Sequence, residues 1–382
     1  MATASVWQRP PTLEADVAIV GGGVIGAATA WALRQLEPDL RVAIVEAERV
    51  AHGASGRNAG FVMLGTSSDY ASAVEAYGRE AARRIWTFTR EAYEAVAEVG
   101  ARHDVGFRAT GSVVAAGAEA EAERLRQSRA LLAEDGVETE WLDQADIDDE
   151  IAGLGFPGAL LVPTGGVIDP ARLVRALISE SGAEVHVGWR AAAVEGEGGR
   201  VRVGAEGGGE VLAERALLAV NAWLPRLVPS LAETVRPVRA QMLATAPAAP
   251  TLDRPVYSHA GYYYVRQRAD GRVLVGGARH LHREAEVGYD DLTTGALQKD
   301  LEAYLRGHFP ALADLPVERR WSGTMGFSPD GLPVLGAVPD VPGAHFAAGF
   351  TGHGMGYALR FGRLAAEAEG CLLYTSPSPR DS

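Results

Sequence analysis

The pattern of apolar and polar positions changes period repeatedly along the chain, and each change marks an element. "ADVAIV", 15–20, is a short apolar, β-branched run, which predicts a buried strand. "GGGVIG" follows, then an alanine-rich helix to about Leu36, closed by Pro38, and a second strand "RVAIVE", 41–46. Strand, helix and strand make a βαβ unit of ordinary size. From Tyr70 to Val99 the apolar residues Tyr70, Val74, Tyr77, Ala81, Ile85, Phe88, Ala92, Val96 and Val99 recur at spacings of three and four, a long amphipathic helix broken near Gly78. A strand is expected over 107–117 and a helix over 119–136. A strand, turn and helix follow over 158–182, with Asp169 as cap and Pro170 as first helical residue. Strands are expected at 183–189, 200–206, 215–223, 236–246, 261–267 and 271–277, the last two joined by an Ala-Asp-Gly turn. A helix over 292–310, a strand at 345–350 and a final turn and helix over 351–370 complete the pattern. Strand-rich and helix-rich stretches interleave, which predicts an α/β (α+β) fold of two domains woven from several passes of the chain.

Composition narrows the possibilities. The chain has 382 residues and a net charge of −13. That balance argues against nucleic acid or an anionic membrane surface as partner, since both require a basic footprint. Lys299 is the single lysine, and the arginine, alanine and glycine content reflects a GC-rich genome. The uncharged stretch 17–33 falls short of a membrane span and contains three successive glycines. Glu14 and Asp16 precede it where a signal peptide would be basic, so no transmembrane segment and a cytoplasmic location are expected. Residues 1–13 are expected to form a loose arm. The tail "CLLYTSPSPRDS", 371–382, departs from the style of the chain and resembles a transposase sequencing adaptor read through as codons. It is expected to be a scar, with the authentic C-terminus beyond Gly370 unknown. Without it the chain has no cysteine, so disulfides, thiolate metal sites and cysteine catalysis are unsupported.

The candidate chemistry begins with Gly21, Gly23 and Gly26, a GxGxxG placed between a strand and a helix that opens with Val24 and Ile25. The glycines suit a tight turn, close approach to a pyrophosphate and close helix–strand packing, and the helix end adds partial positive charge. Glu46 ends the next strand, where a carboxylate can accept from a ribose hydroxyl. A second small, polar segment, "GASGRNAGF" (53–61), follows where a nicotinamide enzyme would run into another crossover. Ser55, Gly56, Arg57, Asn58, Ala59 and Gly60 there can offer donors to a longer cofactor. The stretches 321–336 and 347–367 place a third glycine-rich turn, with Gly349, Thr351, Gly352, His353, Gly354 and Met355, at a helix start. One extended FAD lying across all three corners accounts for them. A NAD-dependent dehydrogenase leaves 53–60 and 349–356 unexplained.

The motifs "GASGRNAGF", "AVNAWLPRL", "GYYYVRQRADGRVLVGG", "WSGTMGFSPDGLPVLG" and "GFTGHG" resemble the FAD-dependent oxidoreductases of the D-amino-acid oxidase superfamily, which includes glycine and sarcosine oxidases, and most closely the γ-glutamylputrescine oxidase-like branch. The resemblance runs from about Asp16 to Gly370. It implies a Rossmann-like FAD-binding domain (14–85, 155–226 and 322–370) interleaved with a mixed β-sheet substrate domain (86–154 and 227–321). It adds Ala191 and Asn221 to the cofactor contacts. The implied reaction is oxidation of a C–N bond of a small amine or amino acid by hydride transfer to flavin N5, followed by imine hydrolysis. Tyr262 and Tyr264, on one face of their strand, and His353 are the candidate catalytic residues.

Three departures from the family pattern are visible. Met325 stands where glycine oxidase-like members carry an arginine for the substrate carboxylate, which argues for an amine or a carboxylate held elsewhere. Leu274 lies near the position of an oxygen-activating lysine in sarcosine oxidase-like members, so oxygen or another acceptor takes the electrons. Arg57 occupies the position of a flavin-linking histidine, which implies non-covalent FAD. The alternatives are a quinone- or carrier-linked amino-acid dehydrogenase using Arg57 or Arg266 for the carboxylate, and a flavin-binding subunit without independent activity. His280 and His282 lack partners at ligand spacing, so no metal is expected, and Trp321 is read as core. Substrate, acceptor and oligomeric state are left open.

Overall fold

A computed structural model describes residues 12–373, with side chains placed as far as Gly370. The expected arm, up to residue 11, and the tail 371–382, apart from the helical backbone to Leu373, lie outside the described residues. The chain opens with β1 (Thr12–Val20), α1 (Val24–Leu36) and β2 (Val42–Glu46). Val17 lies opposite Val42 and Val20 opposite Val45 in a parallel pair, the βαβ unit read from the sequence. β3 (Phe61–Val62) leads to α2 (Tyr70–Tyr77) and α3 (Arg79–Arg102). The break between these helices falls at Gly78, whose φ of 82° a side chain would strain.

β4 (Ser112–Ala115), α4 (Glu119–Glu134), β5 (Glu140–Leu142), α5 (Gln144–Ile151), β6 (Ala159–Val162), β7 (Gly166–Val167) and α6 (Pro170–Ser181) follow. The strand expected over 107–117 is thus confined to its four most apolar residues. Asp169 caps α6, accepting from the amides of Ala171 and Arg172 ahead of Pro170 as predicted. β8 (Glu184–Val187), β9 (Ala191–Glu197), β10 (Arg200–Ala205), β11 (Glu210–Leu218) and the single turn α7 (Leu224–Leu227) come next. The chain ends through β12 (Arg236–Pro247), β13 (Val256–Ser258), β14 (Tyr263–Gln267), β15 (Arg272–Gly277), α8 (Gly295–His308), β16 (Val317–Phe327), β17 (Val334–Ala337), β18 (Ala344–Ala348) and α9 (Gly354–Leu373).

Two eight-stranded sheets dominate the described residues. The first has the order β17-β18-β11-β1-β2-β8, with β10 and β9 branching from β11. Its central strands are parallel, and its faces are covered by two apolar clusters, one containing α1, α6 and α9. α1 is buried from Val24 to Leu33, which explains why that stretch reads as continuously apolar. The second sheet, β16-β12-β15-β14-β13-β4-β6-β5, is mixed, with one parallel pair, β13 with β4. It packs one face on α5 and α8. β6 and the end of β16 belong to this second sheet. The fold is therefore the mixed α/β architecture that the sequence pattern indicated. No helix among the described residues is long and apolar enough to cross a membrane.

Candidate active site

The first glycine corner sits where β1 turns into α1. A β-carbon at Gly26 would lie 2.1 Å from the Gly21 carbonyl oxygen, so only glycine lets the helix start this close to the strand. Gly23 is the N-cap in extended backbone, and no acidic residue occupies the first turn of α1, so the partial positive charge of the helix end is uncompensated by the helix itself. Glu46 closes the corner: one carboxylate oxygen accepts from the Gly22 amide at 2.8 Å and the other from the Glu48 amide at 2.9 Å. The Trp189 amide donates to the Glu46 carbonyl, which brings Ala191, at the start of β9, to the same end of the sheet.

The second corner folds against the first. Ser55 Oγ accepts from the Val24 amide at 2.8 Å, and the Ala51 amide donates to the Gly22 carbonyl at 2.9 Å. Asn58, read from the sequence as a donor to a cofactor, instead braces its own loop. Both amide hydrogens go to the Ala54 and Ser55 carbonyls, and Oδ1 accepts from the Gly60 amide at 2.7 Å. Arg57 is anchored likewise: Nε donates to the His52 carbonyl, and Nη1 reaches Asp291 and the Ser322 carbonyl, each at 2.8 Å. The buried Arg266 spends Nη1 on the carbonyls of Ala59, Gly60 and Ile168, and desolvation lowers its pKa to about 10. Arg57 and Arg266 therefore hold the second corner in shape through their bonds to its backbone carbonyls.

The third corner joins the other two. The Gly349 amide donates to Asn221 Oδ1 at 3.1 Å. Asn221 lies two positions past Ala219, whose carbonyl oxygen lies 2.6 Å from where a β-carbon on Gly21 would sit. Thr351, with φ 46°, donates its amide to the Gly326 carbonyl, and its hydroxyl to Gly349 O. Gly352 and His353 then lead into Gly354 and the buried Met355 at the start of α9.

A cavity of about 300 Å³ opens between the second and third corners, walled by Arg57–Phe61, Thr351–His353, Met355 and the tyrosines Tyr257, Tyr262 and Tyr264. Tyr262 precedes β14 rather than lying in it, yet the predicted alternation holds: Tyr262 and Tyr264 face this cavity, while Tyr263 stacks on Tyr304 in the second core, centroids 4.2 Å apart. Tyr264 stacks on Tyr257 at 5.7 Å, and His353 meets the Tyr257 ring edge-on at 6.2 Å. The Tyr264 ring occupies space a side chain at Gly276 would take, since a β-carbon there would lie 2.2 Å from it. Desolvation raises the phenol pKa values of Tyr257 and Tyr264, the latter to about 12, and lowers the His353 imidazole to about 4. All three groups are neutral at physiological pH. The lining can stack, donate hydrogen bonds and exclude water, and these groups supply no charged base.

The departures noted in the sequence fall at this site. Met325 lines the cavity, its sulfur 3.7 Å from a β-carbon built on Gly352. Leu274 is buried beside Ala59, Met242 and Tyr264, whereas Lys299 is exposed on α8. Trp321 packs against the same small cluster and donates its indole N–H to the Arg57 carbonyl. His282 pairs with Asp300, and His280 stacks on Tyr262 at 4.4 Å. Tyr257 and Arg279 were not singled out from the sequence. Tyr257 sits in a three-residue strand too short to announce itself, and Arg279 lies two positions past a Gly-Gly pair that reads only as a strand end.

A Rossmann-type βαβ unit whose helix start is braced by a second glycine corner, with a third corner enclosing an aromatic cavity, defines a flavoprotein oxidoreductase. The chain belongs to the DAO family of FAD dependent oxidoreductases, whose family pattern matches residues 16–368. It is 29% identical over 377 residues to the probable oxidoreductase OrdL of Rhizobium meliloti (strain 1021), covering 94% of this chain and 83% of that protein. It is 28% identical over 371 residues to the gamma-glutamylputrescine oxidoreductase of Escherichia coli (strain K12), covering 93% and 84%. The fold matches the crystal structure of glycine oxidase from Geobacillus kaustophilus with a TM-score of 0.80 at 23% identity, covering 96% of each chain.

Proposed function

We propose that the chain holds FAD non-covalently across the three glycine corners and oxidises the C–N bond of a small amine or amino acid. The observation that carries this reading is the single cavity shared by the second and third corners and caged by neutral aromatic groups. Gly21, Gly23 and Gly26 with the N-terminus of α1 would take the pyrophosphate, and Glu46 and Ala191 the adenosine end. The backbone of Ser55–Gly60 and Gly349–Met355, with Asn221 beneath, would border the ring. Held there, a flavin would supply the electron sink for loss of a hydride from the carbon next to the substrate nitrogen, and the imine left behind would hydrolyse in water.

The residues of the chain do the positioning. Tyr264 and Tyr257 present a flat, dry wall that fixes the reacting carbon, and His353, neutral, can accept or donate one hydrogen bond without placing a charge in the cavity. An amine must then enter or become neutral to react. The first sheet with its helices is the proposed cofactor domain and the second sheet the proposed substrate domain, in the cytoplasm. Leu274 in place of a lysine favours, as a second reading, a dehydrogenase that passes electrons to a quinone or carrier instead of oxygen.

The test is anaerobic. Purified yellow protein is mixed with polyamines, N-methyl amino acids and D-amino acids, and flavin absorbance is followed. Bleaching by one class supports the reading, and hydrogen peroxide yield in air then separates oxidase from dehydrogenase. A colourless product that takes up no added FAD overturns it.

A further inference from the structure

We propose that Arg279 binds a carboxylate on the substrate, and that this carboxylate lies farther from the oxidised carbon than in an α-amino acid. The proposal rests on the functional reading above and names the substrate class of the same cavity. Two arginines line the cavity among the described residues, Arg57 and Arg279. Arg57 is committed to Asp291 and to two backbone carbonyls. The guanidinium of Arg279 makes no hydrogen bond or ion pair with the described residues, the backbone carbonyl alone accepting from the His282 amide. Its contact is with the face of Phe327, 4.7 Å from the ring centroid, which engages the plane of the guanidinium and leaves its edge donors unspent. A partly buried guanidinium without an anion is costly, and desolvation lowers its pKa. A bound carboxylate would remove that cost through a bidentate pair.

Its position sets the reach. Arg279, Tyr262 and Phe327 line both the inner cavity and a second, outer one of about 690 Å³. Arg279 thus stands at the boundary between them, held there by the turn after β15, where Ala278 takes a left-handed φ of 56°. Inward of it the lining is Met325, Met242, Met63 and Phe61, with no free cation to meet an α-carboxylate. Outward of it the outer cavity carries Arg236 and Arg283, the latter donating to the Tyr262 hydroxyl at 3.0 Å, against the single acid Glu233. Glu286 nearby is spent on Arg239. A purely cationic diamine would meet an uncompensated positive boundary. An amine tethered to a carboxylate would place the acid on Arg279 and the amine-bearing carbon inward. One arginine fork matches one carboxylate, whereas a phosphate dianion would want further donors at the same point.

The experiment uses the FAD-loaded protein and a series of straight-chain ω-amino carboxylates of two to six carbons, their primary amides and plain n-alkylamines. Binding is measured calorimetrically, and anaerobic flavin bleaching gives the rate of reduction. The expected result is a preference for the longer amino carboxylates over glycine and over their own amides. Arg279→Met should weaken amino-carboxylate binding roughly 10- to 100-fold with amide binding unchanged, and Arg279→Lys should fall between. An unchanged flavin spectrum and melting curve show that the variants are folded. Wild-type protein that binds acids and amides equally overturns the proposal without recourse to a variant, as does an Arg279→Met protein indistinguishable from wild type. Either result with FAD bound and bleached by some amine leaves the flavin reading standing, whereas failure to take up FAD overturns both.

Discussion

The hydroxyl oxygen of Ser55 accepts a hydrogen bond from the amide of Val24 across 2.8 Å, joining two glycine corners separated by 31 positions in the chain. Gly23, the N-cap of α1, has no side chain with which to satisfy that amide, so the second corner supplies the cap from outside the helix. Ser55→Ala should therefore cost about 1 kcal/mol of stability, the usual value for a lost cap. It should also accelerate FAD release, because the two corners lose one of the bonds that join them. Urea unfolding and the rate of flavin loss on dilution measure the two effects.

Glycines in these corners are not equivalent. At Gly26 a β-carbon would sit 2.1 Å from a backbone oxygen, while at Gly53 it would meet nothing within 4 Å. Gly26→Ala should separate α1 from β1, cost about 3 kcal/mol or more, and abolish FAD uptake. Gly53→Ala should change stability by no more than about 0.5 kcal/mol. Melting temperature and flavin content of the two proteins, purified side by side, provide the comparison.

The difference between those two glycines also shows what could be read from the chain alone. The βαβ unit was legible because local signals agreed: a β-branched run, glycines at fixed spacing and a helix ending at Leu36 before Pro38. The break at Gly78 was legible for the same reason. β16 was not, since its serine, threonine and glycines read as a turn, and its extended form comes from pairing with β12 along its length, with Arg236 opposite Phe327 and Val238 opposite Met325. α5 escaped notice because "QADIDDEI" has little apolar periodicity, its local signal being the Asp143–Asp146 capping box. At the site, residue types were readable and their commitments were not. Asn58 and Arg57 have donors in any conformation, but only the fold shows that carbonyls and Asp291 already hold them, and only the fold shows that Arg279 is left without such partners.

Tyr264 offers a test of the cavity wall. Its ring fills the space above Gly276. Gly276→Ala should push the ring into the cavity, keep FAD bound with an ordinary spectrum, and slow anaerobic reduction at least 10-fold. Tyr264→Phe keeps the stack on Tyr257 and should reduce the rate by far less. If both substitutions leave the reduction rate unchanged, this wall does not position the substrate.

The second corner depends on a buried ion pair in the other sheet. Arg239 and Glu286, with side chains 5% and 0% exposed, form a two-pronged pair, each contact 2.9 Å. Gln241 donates to the same carboxylate and accepts from the Thr294 amide. This network fixes the segment 285–294, which carries Asp291, the partner of Arg57. Glu286→Ala would strand a buried guanidinium and should cost about 3–5 kcal/mol, with loosened FAD as a second consequence. Replacing both partners, Arg239→Met with Glu286→Leu, should recover most of the stability, because the expense lies in the unpaired charge. Urea unfolding of the single and double variants reads the difference.

His353 and His259 contribute to the acid side of the stability profile. Desolvation lowers both to about 4, with repulsion from His308 and His280 adding to the shift at His259. The unfolded chain takes up each proton near pH 6.5, and the folded chain resists until about pH 4. Between those values the unfolded state binds more protons, so stability must fall as pH drops through 6.5 toward 4 and be independent of these groups at higher pH. The urea midpoint should therefore decline between pH 7.5 and 5. His353→Asn and His259→Asn should each flatten that decline while barely altering the profile above pH 7.5. A midpoint that stays level from pH 7.5 to 5 in the wild-type protein would show that both imidazoles protonate in the folded state as readily as in the unfolded one.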